Sequence, residues 1–561
     1  MRKYAKIVFF TILVFTVFLK VDPNFVSVEK RIYTHYTASL IEDFDFNVVN
    51  QIPEKEAWLL TPTFNYPDMH SNGVSLLWAP FFLISKWITH PNSNPEKLRI
   101  FLLAQAIANV FFGLLSLCLM GVLLRKYYSA SIVRATLILF LFCTPFLWYL
   151  LIQPENADIT ALFLSTCLLT LYSQRTKFVP SYFSFLFGLS LFLCVAVKGD
   201  LIFWIPLFAH FLYERRNLAT KKLLLSVFAF VGGSSINLFL IGTNEKIRYG
   251  YENYGYLDTI TPQIYLLWEN LFGPSGYFIT HPFYLLIIAF LLIQAFNSKI
   301  ESEYWFYLSI PITKVLIESF TYNHNEAFGP RHWVDDSPIF VMILALLLSR
   351  MKTKRAQRKF YLLCGISTLI SGMAALVYRI DFNAYYFTGE WLSVLRRIHL
   401  ENVLLFLGFT SLREKCELLL LIIPLSLALG LFAKKMSEFK PFNRIGFIFA
   451  FYSVLYGIAT LGNSVYNARS VALMPQEVLK RAVIGGGAHI QSFFENAGCL
   501  QRAVAYYKLR GDERAAAYRR RILDDYVQKS AEEIRIDPVG FKATLIPGQL
   551  TYVPDNLWED E

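Results

Sequence analysis

Long apolar runs separated by short basic clusters recur along this chain, and they leave few architectures open. The runs fall near residues 5–20, 98–123, 132–151, 158–173, 180–196, 200–213, 222–241, 277–296, 304–319, 336–349, 360–378, 417–433 and 444–462. Most approach the ~20 residues that a helix needs to cross the hydrocarbon core of a bilayer. Composition agrees: 55% of the 561 residues are hydrophobic, 17% are aromatic, 51 are Phe, and the mean hydropathy is +0.41. A soluble chain of this length would be less apolar. The expected fold is an all-α polytopic membrane protein with about thirteen transmembrane helices.

Charge placement gives the topology. The net charge of +11 is not spread as a nucleic-acid footprint; its cations sit in clusters between the apolar runs. Arg2-Lys3, Arg125-Lys126, Arg175 and Lys177, Arg215-Arg216 with Lys221-Lys222, Lys299, the 350–359 cluster and Lys434-Lys435 all fall on one side. The positive-inside rule makes that side cytoplasmic, with the N-terminus. Met1–Leu19 lacks a small-residue cleavage site and reads as a retained first span. The short run from Val74 to Ile88, with Pro80 inside it, must then lie on the outer surface as an interfacial helix. Its two Trp residues would anchor it there. A short tilted span is the alternative.

This layout predicts a transmembrane domain over 1–462, with a first outer loop at 21–97, and a helical outer-face region over 463–561. Within the latter, 496–530 has the pattern of paired amphipathic helices. The seven cysteines show no CxxC spacing and mostly lie in apolar runs, where Cys is a small hydrophobe. Gly485-Gly486-Gly487 follows no strand and lacks the nucleotide-binding spacing.

The outer side collects the polar candidates. Glu29, Glu42, Asp43 and Asp45 occupy the first loop, with His70 just before the interfacial segment. Glu155 and Asp158 stand at the entry to the next outer-facing span. Lys198 interrupts a tight turn, Val197-Lys198-Gly199-Asp200. Arg331 and His332 follow Gly329-Pro330, ahead of Asp335 and Asp336. A carboxylate that takes a hydroxyl proton, beside cations that hold a departing phosphate, suits group transfer from a phosphorylated carbon. Each group also has a plainer role. Loop acids are commonly solvated, Lys198 could snorkel to headgroups, Asp335 and Asp336 could cap the following helix, and His70 and His332 could be structural hydrogen-bonding groups.

Four blocks, Ser27–Tyr33 through Ser39–Asn47, Asn156-Ala157-Asp158, Val197-Lys198-Gly199 and Gly329-Pro330-Arg331-His332, resemble the GT-C superfamily of membrane glycosyltransferases. The likeness is to the bacterial branch that includes aminoarabinose transferases and protein O-mannosyltransferase-like enzymes. The resemblance implies inverting transfer of a sugar from a polyprenyl-phosphate donor on the outer face, to a lipid, glycan or protein acceptor. It implies a catalytic acid in the first outer loop, in an Asp-Glu pair before Arg-Tyr. Here that stretch reads Val28-Glu29-Lys30-Arg31-Ile32, so the Asp is missing, and the base is Glu29 or passes to Asp43 or Asp45. Lys198 matches the lysine expected on the lipid phosphate, and Asp158 matches a recurring acid. Arg331, His70 and His332 join them as substrate-binding candidates. No cofactor is required; a divalent metal near Asp43 and Asp158 is an open alternative. The expected location is a bacterial inner membrane with the active face periplasmic.

Two rivals stand beside the enzyme: a transporter or flippase of lipid-linked sugars, and a non-catalytic scaffold. Transporters place ionisable groups near the midplane on broken helices, whereas these charges sit at one rim.

Overall fold

The computed structural model describes residues 28–42, 72–89, 94–154, 156–242, 264–273, 275–297, 301–321, 330–351, 353–380, 449 and 452–458. Packing divides the chain into two units, Met1–Asp43 with Met69–Thr460, and Phe44–Asp68 with Leu461–Glu561; the described residues belong to the first. The first span, Asp43, Asp45, His70, Glu155, the run 417–433 and the expected outer-face region from 463 lie outside the described residues.

Among the described residues there is helix and no strand. In chain order the helices are α1 (Val28–Glu42), α2 (Val74–Thr89), α3 (Asn94–Leu124), α4 (Ala130–Cys143), α5 (Asp158–Tyr172), α6 (Pro180–Val197) and α7 (Ile205–Glu214). After them come α8 (Thr220–Gly242), α9 (Ile264–Phe272), α10 (Pro282–Asn297), α11 (Ser302–Thr321), α12 (Ser337–Arg350) and α13 (Lys354–Ile380). Among the described residues three helices are long and apolar enough to cross a membrane: Ile100–Leu124, Pro180–Val197 and Lys354–Tyr378. They become four if the segments Asn270–Thr280 and Pro282–Ala295, bent by 95° about His281, form one span.

Several expected spans are shorter than the apolar runs suggested, and proline explains two of them. The run 132–151 stops as a helix at Cys143, because Pro145 disfavours helical backbone at Thr144. A single π-helical turn, Trp148–Ile152, follows. The run 200–213 opens instead as a 3-10 turn over Gly199–Trp204, and α7 starts with Pro206 in its first turn, where a missing N–H costs nothing. Helix α5 keeps nearly the full length of its run, 158–173. Every one of its 15 residues is buried, as expected of a helix that is apolar all round and sits at a bundle centre.

Close backbone approach fixes the pair α6 and α8. A Cβ on Gly188 would meet the Phe230 carbonyl oxygen at 2.4 Å, and one on Gly233 would meet that of Phe185 at 2.2 Å. Small residues at a crossing let two helices touch along their backbones, the usual packing device where lipid removes the hydrophobic drive.

Helix α2 forms where the interfacial segment was expected, and its Trp residues part ways. Trp87 is 75% exposed, but Trp78 is fully buried. The Trp78 indole donates to Thr160 Oγ1 at 2.9 Å, and Thr160 in turn donates to Asn109 Oδ1 at 2.7 Å. Trp78 is thus a core hydrogen-bond donor and not a surface anchor. A buried indole N–H needs a partner, and α5 supplies one.

Candidate functional site

Four chain segments end at one place. Asp158 is the first residue of α5, Lys198 follows the last residue of α6, and Asp200 lies in the 3-10 turn after it. Arg331 and His332 form a 3-10 turn just before α12. Helices of opposite direction thereby bring their charged termini to the same end of the bundle. The 331–333 turn is anchored by Trp333, which is buried against Tyr277, Tyr284 and Phe340 at ring-centroid distances of 4.8, 5.0 and 5.3 Å.

Of the sequence candidates, Asp158, Lys198, Arg331 and His332 come together. Lys198 Nζ donates to Asp158 Oδ1 at 2.8 Å, and Arg331 Nε donates to Asp158 Oδ2 at 3.0 Å. One carboxylate therefore orients both cations, an oxygen for each. His332 Nδ1 lies 2.7 Å from Asp200 Oδ2, so Asp200 sets the orientation of the imidazole. Glu29 lies in the first turn of α1. Of the acidic loop, Glu42 closes α1 and pairs with the half-exposed Lys86 at 3.2 Å. Such a surface pair contributes about 0–1 kcal/mol.

Beneath these groups lies a layer that sequence reasoning read differently or passed over. Lys314, on α11, is fully buried, as are Asp335 and Asp336. Its ammonium donates to Asp335 Oδ1 at 2.8 Å and lies 3.5 Å from Asp336 Oδ2 and 4.0 Å from Asp200 Oδ2. Asp335 Oδ2 is in turn 3.5 Å from Lys198 Nζ, so the two lysines share it. Asp336 stands at the N-cap of α12 but makes no capping hydrogen bond. It accepts instead from the Trp204 indole at 2.9 Å. Of the two readings open for Asp336, the helix cap is not the one seen: its carboxylate faces a buried lysine and a buried indole instead of the helix terminus.

Exposure grades across the cluster. The side chains of Asp158, Lys314, Asp335 and Asp336 are 0–1% exposed, while Lys198, Arg331, His332 and Asp200 are 12, 17, 24 and 31% exposed. The buried acids grip the cations from behind, and the accessible edge is Lys198, Arg331, His332 and Asp200. Burial alone would lower the Lys198 pKa, but the Asp158 and Asp335 carboxylates outweigh it and hold the pKa above the ordinary lysine value. Lys198 stays charged throughout the physiological range. Oδ2 of Asp335 and Oδ2 of Asp336 accept no hydrogen bond, although a lysine stands within 3.5 Å of each. This is a charge array with capacity in reserve, able to exchange long internal contacts for a ligand's oxygens.

The first loop returns beside this end. The Gly73 N–H donates to the Ala196 carbonyl at 3.1 Å, two residues before Lys198, and the Gly73 carbonyl accepts from the Tyr452 hydroxyl. The start of α2 is thereby pinned to the end of α6. Among the described residues no three His, Cys, Asp or Glu side chains are grouped to hold a metal ion.

No protein-family model matches the sequence, and no curated protein matches it. Among solved structures the chain is similar to the crystal structure of ArnT from Cupriavidus metallidurans in the apo state. The similarity covers 83% of this chain and 79% of that one, at 12% identity and a TM-score of 0.41.

Proposed function

We propose that this chain is an integral-membrane glycosyltransferase that moves a sugar from a polyprenyl-phosphate donor to an acceptor hydroxyl or phosphate. The observation that carries the proposal is the meeting of Asp158, Lys198, Arg331 and His332 at one end of the bundle, with two cations oriented by one buried carboxylate. A scaffold has no need of such an array, since buried ion pairs rarely add net stability. Lys198 and Arg331 would receive the charge that builds on the departing phosphate. A first-loop carboxylate, Asp43, Asp45 or Glu29, would take the acceptor proton. The acceptor oxygen then bonds to the anomeric carbon as the carbon–phosphate-oxygen bond breaks, with inversion. Phosphate leaves readily, so no cofactor is required; a divalent metal near Asp43 and Asp158 is the alternative. His332 and His70 would hold donor or acceptor hydroxyls.

The wider picture belongs to the same proposal. It comprises about thirteen spans, a catalytic domain over 1–462, an outer-face region over 463–561, an inner-membrane location and a periplasmic active face. The acceptor is a lipid, glycan or protein.

One observation favours the transporter. Lys314 is a buried ion on an apolar helix, and ions within membrane helices often line transport paths. A single experiment separates the two. Vesicles carrying the chain receive a radiolabelled polyprenyl-phosphate sugar and a crude envelope extract as acceptor. The transferase moves label onto an acceptor, and Lys198→Met abolishes this. Label that crosses the vesicle membrane while staying on its lipid makes the chain a transporter.

A further inference from the structure

We propose that Lys314 is a positioning residue of the phosphate site: it holds Asp335 so that the Lys198 ammonium stays available to an incoming lipid-phosphate oxygen. The inference rests on the transferase reading only for the identity of the anion.

The geometry is a relay of three groups on three segments. Asp335 presents Oδ1 to Lys314 at 2.8 Å and Oδ2 to Lys198 at 3.5 Å. The short hydrogen-bonded contact is with the buried lysine, and the long one is with the lysine at the accessible edge. Lys198 spends its one short contact on Asp158, at 2.8 Å. Remove the Lys314 ammonium and Asp335 keeps a fully buried carboxylate whose sole remaining cation within 4 Å, among the described residues, is Lys198. A buried carboxylate without a partner is costly. Lys198 would therefore be drawn inward to close a short pair with Asp335, and a ligand would have to compete with that pair. Asp336 is a weaker claimant. It lies 3.5 Å from Lys314, it has the Trp204 indole, and it makes no ion pair with Lys198 within 4 Å.

Lys314 is seven residues from the end of its helix and fully buried, so it has no direct route to a ligand at the edge. That separates it from Lys198 and Arg331, which would touch the phosphate themselves. Its effect runs through Asp335, and neutralising Asp335 should make it dispensable.

The test uses the purified full chain in detergent, with a short-chain polyprenyl monophosphate as the probe and the uncharged polyprenol as the control. Lys314→Met should weaken binding of the phosphate about tenfold or more while leaving the polyprenol unchanged. Lys314→Met/Asp335→Asn should restore binding to within about threefold of wild type, whereas Lys314→Met/Asp336→Asn, with the same net charge, should not. Wild-type binding by Lys314→Met overturns the proposal. So does recovery with Asp336→Asn in place of Asp335→Asn, and so does a wild-type chain that ignores the phosphate. If Lys314→Met fails to fold, Asp335→Asn alone decides: it must bind the phosphate at least as tightly as wild type, and weaker binding sinks the relay. A chain that binds the lipid phosphate in this pattern yet transfers no sugar keeps the relay and loses the transferase reading.

Discussion

Arg175 and Lys198 are both cations set just past the end of a helix, and the chain holds them in opposite ways. Arg175 sits after α5, at the end away from Asp158. Its Nε and Nη2 donate to the two oxygens of Glu214 at 2.5 and 2.7 Å, and its Nη1 lies 3.3 Å from Glu303. The guanidinium lies 4.3 Å from the Tyr172 ring centroid, and the Tyr172 hydroxyl pairs with His210. Tyr307 donates to Glu303 at 2.5 Å. A planar fork meets a carboxylate edge to edge, which is the geometry arginine provides and lysine does not. Lys198, by contrast, has one short contact and two long ones, at 3.5 and 3.7 Å to Asp335 and Asp200. The first arrangement is a clasp between α5, α7 and α11. The second leaves its cation under-committed, which is the state a binding site needs.

Substitution at each end should break the symmetry of this comparison. Lys198→Met is expected to lower transfer at least about 100-fold, the scale of losing one group that stabilises developing charge. Stability should hardly change, because every carboxylate near Lys198 keeps another partner. Asp158 retains Arg331, Asp335 retains Lys314, and Asp200 retains His332. Arg175→Met should do the reverse. It strands Glu214, leaves Glu303 with the Tyr307 hydroxyl, and should cost about 2 kcal/mol, less than a fully buried pair because Glu214 is about a third exposed. Transfer per folded molecule should stay near wild type. Thermal melts in detergent beside specific activities check both, and a Lys198→Met chain that melts far below wild type would put the two ends in one class.

Trp204→Phe sharpens the contrast from the middle. The Trp204 indole belongs to the core, yet its N–H serves the site carboxylate of Asp336. Losing that hydrogen bond at a buried acid should cost about 1–3 kcal/mol. Phe keeps most of the packing, so the loss should appear in both melting and transfer. An effect on melting alone would remove Asp336 from the site.

How far these features could be read in advance varied with their physics. Hydropathy reports burial from water, whether in lipid or in protein. It therefore found the apolar runs but could not tell a helix long enough to span, such as α6, from the short, wholly buried α5. Proline corrected the lengths: Pro145 and Pro206 are visible in the sequence, and each breaks a run where the helix in fact stops or starts. At the site, Lys198 and Arg331 are marked in the sequence because cations on the side expected to be outer break the positive-inside pattern. Lys314 had a comparable signal, a lone lysine within the run 304–319, and an ion inside an apolar helix is functional by default. The partner choice of Asp336 was not legible at all. Helix capping and ion pairing use the same residue type at the same position, and only the approach of the Gly199–Trp204 turn and α11 decides between them.

The smallest effect is a pH dependence confined to the clasp. Burial raises the Glu214 pKa, but the hydrogen bond and charge of Arg175 outweigh it and leave the pKa below the ordinary glutamate value. A carboxyl depressed on folding adds stability above its unfolded pKa, about 4.3, and loses it as pH falls through the folded value. Glu214→Gln should therefore melt below wild type at pH 7, with the gap closing as pH drops below about 4. A gap that stays constant down to pH 3 would mean that Glu214 acts by packing or neutral hydrogen bonding, and the clasp would lose its ionic character. Lys198→Met gives the matching measurement at the other end. The Lys198 pKa lies above the ordinary lysine value, so its protonation does not change between pH 7 and pH 3. Any pH-dependent gap between Lys198→Met and wild type in that window must then come from the carboxylates around it, and would show that the site end also depends on its ion pairs for stability.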